Sequence, residues 1–241
     1  MTRFFVEGIV RVGEACRIVG DDARKLKLVL RARVGDEIEI LDSAGARFRC
    51  SIEHLDRDVS LLARERLPEP PPEHALRFTL AQGIPKGSKM DYVVEKASEL
   101  GVARLVPLLT ERCIARDCSP GKLERWRRLA RSAALQSGRS EPMEILAPVA
   151  FDALLAEAAQ YDALLMPWEL APPHPPLPLL HGALIGARNA IGLVGPEGGF
   201  STDEAERAGA AGALMLRLGP RILRTETAGV VLSAAVLLTL L

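Results

Sequence analysis

The sequence contains few of the residues that build metal sites and disulfide frameworks. Its 241 residues include four cysteines and four histidines, and no two cysteines have the C-x-x-C spacing. Such a set favours neither a zinc site nor paired disulfides, so we expect no metal and a reduced, cytosolic compartment. The cysteines are Cys16, Cys50, Cys113 and Cys118.

Long apolar runs are also missing. No apolar export segment follows Met1, and the apolar run 228–241 is shorter than the roughly 20 residues that cross a bilayer. We therefore expect a buried helix at 228–241 and no membrane role.

The chain has no net charge. Lys and Arg number 31, as do Asp and Glu, and apolar residues make up 48%. This composition is typical of an ordinary globular protein, and it argues against coating of a nucleic acid by overall charge. Any contact with nucleic acid must therefore depend on local basic patches.

A proline cluster, Pro68-Glu69-Pro70-Pro71-Pro72, predicts a linker at 68–74, because it can continue neither a helix nor a central strand. Short strand candidates at 1–67 predict a small β-barrel, interrupted by a helix at 22–31. After the linker, apolar strands alternate with helical segments over 75–241, the pattern of an α/β domain with a mostly parallel sheet. A second proline run at 172–176 is interpreted as a surface loop.

The segment Gly195-Pro196-Glu197-Gly198-Gly199-Phe200-Ser201 follows the apolar run 190–194 and precedes a helix start, where Ser201 and Glu204 predict a capping box. Glycines leave backbone N–H groups open to a ligand. The loop lacks a Walker Lys-Ser/Thr and the G-x-G-x-x-G spacing, and the carboxylate of Glu197 would repel a polyphosphate. It predicts a small-molecule site other than one for a nucleoside triphosphate; the alternative is a tight turn without a ligand.

A second strand-loop-helix corner follows at 214–228, where Thr225 is predicted to cap the last helix. Gly195 to Phe200 resembles the GPEGG(F/L) segment, and Leu218 to Ala228 the LG-x-R-(I/V)-LR-T-E-T-A segment, of the RsmE family in the SPOUT superfamily. The resemblance implies methylation of N3 of a uridine in 16S ribosomal RNA with S-adenosylmethionine. Alternatives are a SPOUT 2′-O-ribose methyltransferase acting on tRNA or rRNA, and a non-catalytic RNA-binding module.

The resemblance also implies a fold: an N-terminal PUA-like β-barrel that helps to hold RNA, and a C-terminal SPOUT α/β domain with a trefoil knot. It extends over both predicted domains, through the VLR…GD pattern at 29–36 and the K-G-x-K-M segment at 86–90. Lys25 stands where that family usually has a histidine. The family points to a homodimer, and the apolar residues of 225–241 favour one independently.

S-adenosylmethionine requires backbone donors, apolar packing and little added positive charge. Glu197 is expected to accept from the ribose or to counter the sulfonium. Leu165 and Met166 match the position of a third cofactor-contacting segment of the resembled family; the alternative is that both are plain core residues. The expected cofactor contacts are Leu165, Met166, Pro167, Gly195, Pro196, Glu197, Gly198, Gly199, Leu218, Gly219, Ile222 and Leu223.

Methylation of uridine N3 requires loss of its proton and stabilisation of the charge spread over O2 and O4. Arg224 is the expected cation, because a guanidinium bridges two acceptors in one plane. Glu226 is the candidate base. The alternatives are an ion pair between Arg224 and Glu226, a carboxylate placed to suit the helix dipole, and solvent as the proton acceptor.

Basic residues cluster in the predicted helix at 122–137, which is either a solvated face or an RNA contact. With the basic residues of 22–33 and of the K-G-x-K-M segment, they give the expected RNA contacts. These are Arg24, Lys25, Arg31, Lys86, Lys89, Arg127, Arg128 and Arg139.

Overall fold

A computed structural model describes residues 3–68, 75–115, 118–173 and 175–239. The chain divides into two compact units, one formed by Met1–Glu73 with Ala134–Glu141 and the other by His74–Ala133 with Pro142–Leu241. Nothing in the sequence pattern indicated that 134–141 belongs to the first unit. Most of the predicted linker, 69–74, lies outside the described residues.

The elements of the first unit are β1 Arg3–Phe5, β2 Ala15–Ile18, α1 Gly20–Arg24, β3 Glu37–Leu41, β4 Arg47–Leu55 and β5 Val59–Arg66. The five strands form a mixed sheet in the order β1-β3-β4-β5-β2, with β1 parallel to β3 and the other pairs antiparallel. These strands form an open half-barrel around a core that includes Phe4, Leu26 and Ile40. The predicted helix begins as α1 and continues as a wider π-helical turn at Lys25–Val29.

The second unit is built on a sheet of seven strands in which all described pairings are parallel, as predicted. The elements are β6 Arg77–Gly83, α2 Lys89–Leu100, β7 Arg104–Leu109, α3 Pro120–Ser137, β8 Glu144–Ile145, β9 Val149–Ala150, α4 Phe151–Ala156, β10 Ala163–Pro167, α5 Pro176–Leu184, β11 Asn189–Val194, α6 Thr202–Ala210, β12 Leu214–Leu216 and α7 Thr225–Leu238. The strand order is β12-β10-β11-β6-β7-β8, and β9 also pairs with β7.

Apolar side chains cover both faces of this sheet, because its strands are nearly continuous apolar runs. One core packs β6 and β11 against α2 and α7, and the other lies around Leu108, Met166 and Leu193. The helix predicted from the C-terminal run is confirmed over α7, where Leu232, Val236 and Leu237 are buried. Among the residues that the structure describes, no helix has the length and apolar character needed to span a membrane.

The second proline run and the start of the last helix differ from the sequence prediction. The proline run at 172–176 is not only a loop, because α5 begins at Pro176, where a proline suits the first turn of a helix. The capping box of Ser201 and Glu204 is confirmed at the start of α6. The predicted cap by Thr225 is wrong: Arg224 is the residue before α7, and the Thr225 hydroxyl points into the protein.

Candidate functional site

Three loops meet at one edge of the parallel sheet in the second unit. Strand β10 lies between β11 and β12, so the loops that follow these three strands leave the same edge side by side. They contain Pro167–Glu169, Gly195–Gly199 and Arg217–Leu223. This edge is where ligands bind in open parallel sheets. The two glycine-containing corners therefore lie at the same edge of the sheet.

A pocket of about 120 Å³ lies between the loops after β10 and β12. The predicted residues Pro167, Leu218, Gly219, Ile222 and Leu223 line it, and Ile222 is 87% exposed at its rim. Its wall also contains residues that the sequence analysis missed, namely Trp168, Glu169, Arg217, Pro220, Arg221 and Ala228. Trp168 and Glu169 follow the end of β10 directly, and their place after a predicted strand could have indicated that they belong to the site.

Leu165 and Met166 do not line this pocket. Both side chains are fully buried, Leu165 in the core on one face of the sheet and Met166 in the core on the other. The structure thus places them as core residues, the alternative that the sequence left open. Of the three residues predicted from β10, Pro167 is the one in the pocket wall.

The glycine loop lies beside the pocket, with Glu169 between them. A Cβ atom on Gly199, which has φ +67°, would lie 3.4 Å from the Glu169 carboxylate. The Gly199 N–H donates to the Pro196 carbonyl at 2.9 Å and closes a tight turn. A Cβ on Gly195 would lie 2.9 Å from the backbone of Gly199, so Gly195 must lack a side chain for the turn to close.

Gly83, at the end of β6, is a further site residue that the sequence analysis missed. A Cβ there would lie 2.5 Å from the Pro196 nitrogen, closer than any real side chain approaches backbone. The end of β6 and the glycine loop therefore pack backbone to backbone. No local pattern indicated this contact, because it depends on β6 pairing with β11.

Gly198 offers the loop a backbone donor at an exposed position. Its carbonyl accepts a hydrogen bond from Arg112 Nη1 at 2.9 Å, and within the described ranges its N–H has no protein partner. A Cβ on Gly198 would lie 3.1 Å from the Cβ of Arg112. The loop is thus held at its carbonyl while one N–H stays available to a ligand.

The carboxylate of Glu197 is bound to the protein itself. Its Oε1 accepts from Lys89 Nζ at 2.7 Å and from the backbone N–H of Lys86 at 3.0 Å. Partial burial raises the pKa of Glu197, but the hydrogen bonds from Lys89 and Lys86 outweigh it and hold this pKa below its ordinary value. In the described structure Glu197 is therefore an anchor of the loop.

Lys89 joins Glu197 to the other candidate carboxylate, since its Nζ also lies 4.0 Å from Glu226 Oε2. The Lys89 ammonium is thus engaged within the protein, whereas the Lys86 side chain is exposed. Glu226 Oε2 is buried and has no hydrogen-bond partner in the described chain, and the Glu226 side chain is 15% exposed. A buried carboxylate oxygen without a donor is available to accept a proton.

Arg224, two residues earlier, is exposed, and no described residue forms an ion pair with it. The predicted alternative of an ion pair between Arg224 and Glu226 is therefore wrong. The guanidinium is free to contact a substrate.

The expected RNA contacts fall on both units. Arg24, Lys25 and Arg31 are exposed in the first unit, and Lys86, Lys89, Arg127 and Arg128 belong to the second. On α3, Arg127 lies 3.8 Å from Glu124, whereas Arg128 and Arg131 are exposed and have no partner among the described residues.

Arg139 does not fit the prediction, because it is 8% exposed. It belongs with the first unit, in the segment whose Gly138 carbonyl accepts from Arg3 Nη1 at 2.6 Å. A side chain buried in this way is not available to a phosphate at the surface. The sequence could not show this, because the neighbours of 134–141 are distant along the chain.

Comparison with known proteins gives a consistent result. A family model for an RNA methyltransferase domain matches residues 72–237. Proteins named ribosomal RNA small subunit methyltransferase E are similar over nearly the whole chain. The one from Bacillus subtilis is 29% identical over 95% of this chain and 93% of its own length, and the one from Mycobacterium bovis is 32% identical over 97% and 90%.

A solved structure agrees with these relatives. It is a ribosomal RNA small subunit methyltransferase E from Neisseria gonorrhoeae bound to S-adenosyl methionine. It is 29% identical to this chain, covers 98% of this chain and 96% of its own, and superposes with a TM-score of 0.80.

Proposed function

The chain belongs to the RNA methyltransferase family, and on that premise we propose that it methylates N3 of a uridine in 16S ribosomal RNA, with S-adenosylmethionine as the methyl donor. One observation carries the proposal. The glycine loop, the pocket between 167–169 and 217–223, and the Arg224–Glu226 corner lie at the ends of adjacent parallel strands. Relatives named ribosomal RNA small subunit methyltransferase E support small-subunit ribosomal RNA as the substrate.

The residues at this edge fit S-adenosylmethionine. The free N–H of Gly198 is a backbone donor, and Trp168, Leu218 and Leu223 give apolar surface. The Arg217 Nε is a buried donor without a partner in the described chain, and it suits the carboxylate of an amino-acid group. When bound, S-adenosylmethionine supplies an electrophilic methyl group.

The chain's own part in the reaction is to prepare the uridine. Arg224 stabilises the negative charge that develops over O2 and O4 when the N3 proton leaves. Glu226 takes that proton through Oε2, and the Lys89 ammonium lies 4.0 Å from that oxygen. Holding the two reactants in one orientation supplies much of the remaining rate.

The RNA substrate requires additional surface. We propose that the half-barrel is a PUA-like RNA-binding domain of residues 1–67, joined by the linker 68–74 to a SPOUT domain of residues 75–241. Arg24, Lys25 and Arg31 of the first unit and Arg127 and Arg128 of the second then contact phosphates. The exposed Arg131 on α3 joins them, and Arg127 contributes less because it lies 3.8 Å from Glu124. The resemblance to the SPOUT family supports a trefoil knot and a homodimer, and a ribosomal RNA substrate supports a cytoplasmic location.

The test is to incubate the protein with S-adenosylmethionine and 16S RNA or small ribosomal subunits, and to map the modified nucleotide by mass spectrometry. We expect a methyl group on a uracil base. A methyl on a ribose would indicate a 2′-O-methyltransferase. RNA binding without methylation and without binding of S-adenosylmethionine by calorimetry would indicate a non-catalytic RNA-binding module.

A further inference from the structure

A buried hydrogen-bond chain connects three elements at the edge of the sheet. The Gln82 side-chain Nε2 donates to Thr225 Oγ1 at 2.8 Å, and Thr225 Oγ1 donates to the Gly195 carbonyl at 2.5 Å. Gln82 is the penultimate residue of β6, Thr225 is the first residue of α7, and Gly195 opens the glycine loop. Residues separated by 143 and 30 positions are thus joined in one line.

The direction of this chain is fixed by the single hydroxyl proton of Thr225. Because Thr225 gives that proton to Gly195, it must accept from Gln82, and the amide of Gln82 must turn its Nε2 toward Thr225. Nε2 also donates to the Gly83 carbonyl at 3.2 Å. Gln82 and Thr225 are both buried, so water does not compete for these bonds.

Close packing against Gly229 of α7 holds the Gln82 side chain in place. Its Oε1 has no hydrogen-bond partner in the described structure and faces the backbone of Gly229, one turn along α7. A Cβ on Gly229 would lie 2.4 Å from Oε1. The glycine therefore lets α7 come close enough for Thr225 to meet Gln82 and Gly195 together.

We infer that Thr225, supported by Gln82, is a positioning residue that holds the glycine loop and the Arg224–Glu226 corner in one geometry. Thr225 lies between Arg224 and Glu226 in sequence, so the bond that fixes the Gly195 carbonyl also fixes the first turn of α7. Losing it removes the buried link between the loop and the corner. This inference rests on the proposed function for its link to methyl transfer.

The test compares Thr225→Val, which keeps the shape and removes the hydroxyl, with Thr225→Ser, which keeps the hydroxyl. Thr227→Val is the matched control, because Thr227 is exposed two residues further on. Two quantities are measured: hydrogen–deuterium exchange of the peptide 195–201, and the single-turnover methylation rate at saturating S-adenosylmethionine and RNA. Both are recorded well below the melting temperature of each variant.

We expect Thr225→Val to speed exchange in 195–201 and to lower the single-turnover rate about tenfold or more, since a displacement of about 1 Å in such a site costs up to 100-fold. Thr225→Ser should restore most of both quantities, and Thr227→Val should resemble the unaltered protein. Gln82→Met should change both in the same direction. Combining it with Thr225→Val should add little, because the two side chains act in one chain.

Unchanged exchange in Thr225→Val would overturn the inference. So would faster exchange with an unchanged rate at saturation, because the chain of bonds would then order the loop without positioning the reaction. Independent, fully additive effects of Gln82→Met and Thr225→Val would also contradict it. If the unaltered protein methylates no RNA, the proposed function fails, whereas the exchange measurement still decides whether Thr225 holds the loop.

Discussion

Three glycines, Gly83 at the end of β6 and Gly195 and Gly198 in the glycine loop, each lie close to a different neighbour. Gly83 and Gly195 are limited by backbone, and Gly198 is limited by the side chain of Arg112. A Cβ on Gly83 or Gly195 would lie 2.5 Å or 2.9 Å from backbone, whereas a Cβ on Gly198 would lie 3.1 Å from its nearest neighbour, the Arg112 Cβ, which a shift of a few tenths of an ångström would relieve. Gly198 is therefore the position at which a larger residue can enter the site while the fold is kept.

We predict that Gly198→Val weakens binding of S-adenosylmethionine at least tenfold, about 1.4 kcal/mol. The added methyl groups displace Arg112 and block approach to the free N–H of Gly198. Titration calorimetry measures the affinity. Gly209→Val is a suitable control, because Gly209 is exposed on α6 and a Cβ there meets nothing within 4 Å. Equal affinities for the two folded variants would contradict this placement of the cofactor.

At the scale of single elements, apolar runs followed by turn residues were sufficient to predict the strands that build the site. The runs before Gly195 and Gly219 became β11 and β12, and the parallel arrangement brought their loops together. Helix α5 was missed because its proline-rich start is also typical of a loop. Thr225 was predicted as a cap from its place at a helix start, and its true partners, Gln82 and Gly195, are defined only by the folded sheet.

The same limit applies to charged residues. Arg139 and Arg128 look alike in sequence, and the environment decides that one is enclosed and the other exposed. Lys89 was expected to meet phosphate, yet it lies between Glu197 and Glu226, two carboxylates brought to it from other elements. Sequence gives the charge of such a residue, and tertiary packing gives its partner.

In the half-barrel, Glu39 on β3 connects neighbouring strands through two arginines. It lies 2.8 Å from Arg3 on β1 and 2.6 Å from Arg47 on β4. Burial by itself raises the pKa of Glu39. The hydrogen bonds and positive charges of Arg47 and Arg3 together have the larger effect and hold this pKa below its ordinary value of 4.5. The ionised form is therefore the one that stabilises the folded unit.

We predict that Glu39→Gln lowers the free energy of unfolding by about 2 kcal/mol at pH 7, because two largely buried guanidiniums lose their carboxylate. Since the folded pKa is depressed, the contribution of Glu39 is full above pH 4.5 and is lost as the pH falls through the folded value. Urea unfolding of the unaltered protein and of Glu39→Gln at a series of pH values measures this contribution to the free energy of unfolding. A difference between the two proteins that stays constant from pH 7 to pH 3 would show that the charge of Glu39 is irrelevant.

At the scale of the whole molecule, α7 presents two apolar faces. One face, with Leu232, Val236 and Leu237, is buried in the second unit. The other carries Val231 and Leu238 seven residues apart, and Leu238 is 62% exposed. A helix that is apolar on both sides requires a second surface to cover it.

We predict a homodimer that uses this second face. Light scattering at micromolar concentration should give twice the 26.1 kDa mass of the chain. The double variant Val231→Lys, Leu238→Lys should give the mass of one chain, because two charges replace the apolar contact. Exposed Leu177 on α5 offers a control, since Leu177→Lys adds the same charge on another helix. A single-chain mass for the unaltered protein would refute the dimer.

The last prediction separates chemistry from RNA affinity. Arg224 adjoins the pocket loop and has no described ion-pair partner, so its loss should act on the charge that develops during proton removal. Arg128 and Arg131 are exposed on α3, where a guanidinium meets phosphate and releases counterions. Arg224→Ala should lower the single-turnover rate at saturating RNA about 100-fold and leave RNA affinity nearly unchanged.

The double variant Arg128→Ala, Arg131→Ala should instead weaken RNA binding and reduce the slope of log K against log salt by about 1.5, since each lost phosphate contact removes somewhat less than one released ion. Arg127→Ala is the comparison within α3, because Arg127 already lies 3.8 Å from Glu124 and should contribute less. The single-turnover rate and the RNA affinity are measured for every variant across a salt series. If Arg224→Ala loses only affinity, the guanidinium binds RNA and does not serve the methyl transfer. If the double variant keeps the full salt slope, α3 faces solvent in the complex, and the phosphates must be held by other residues.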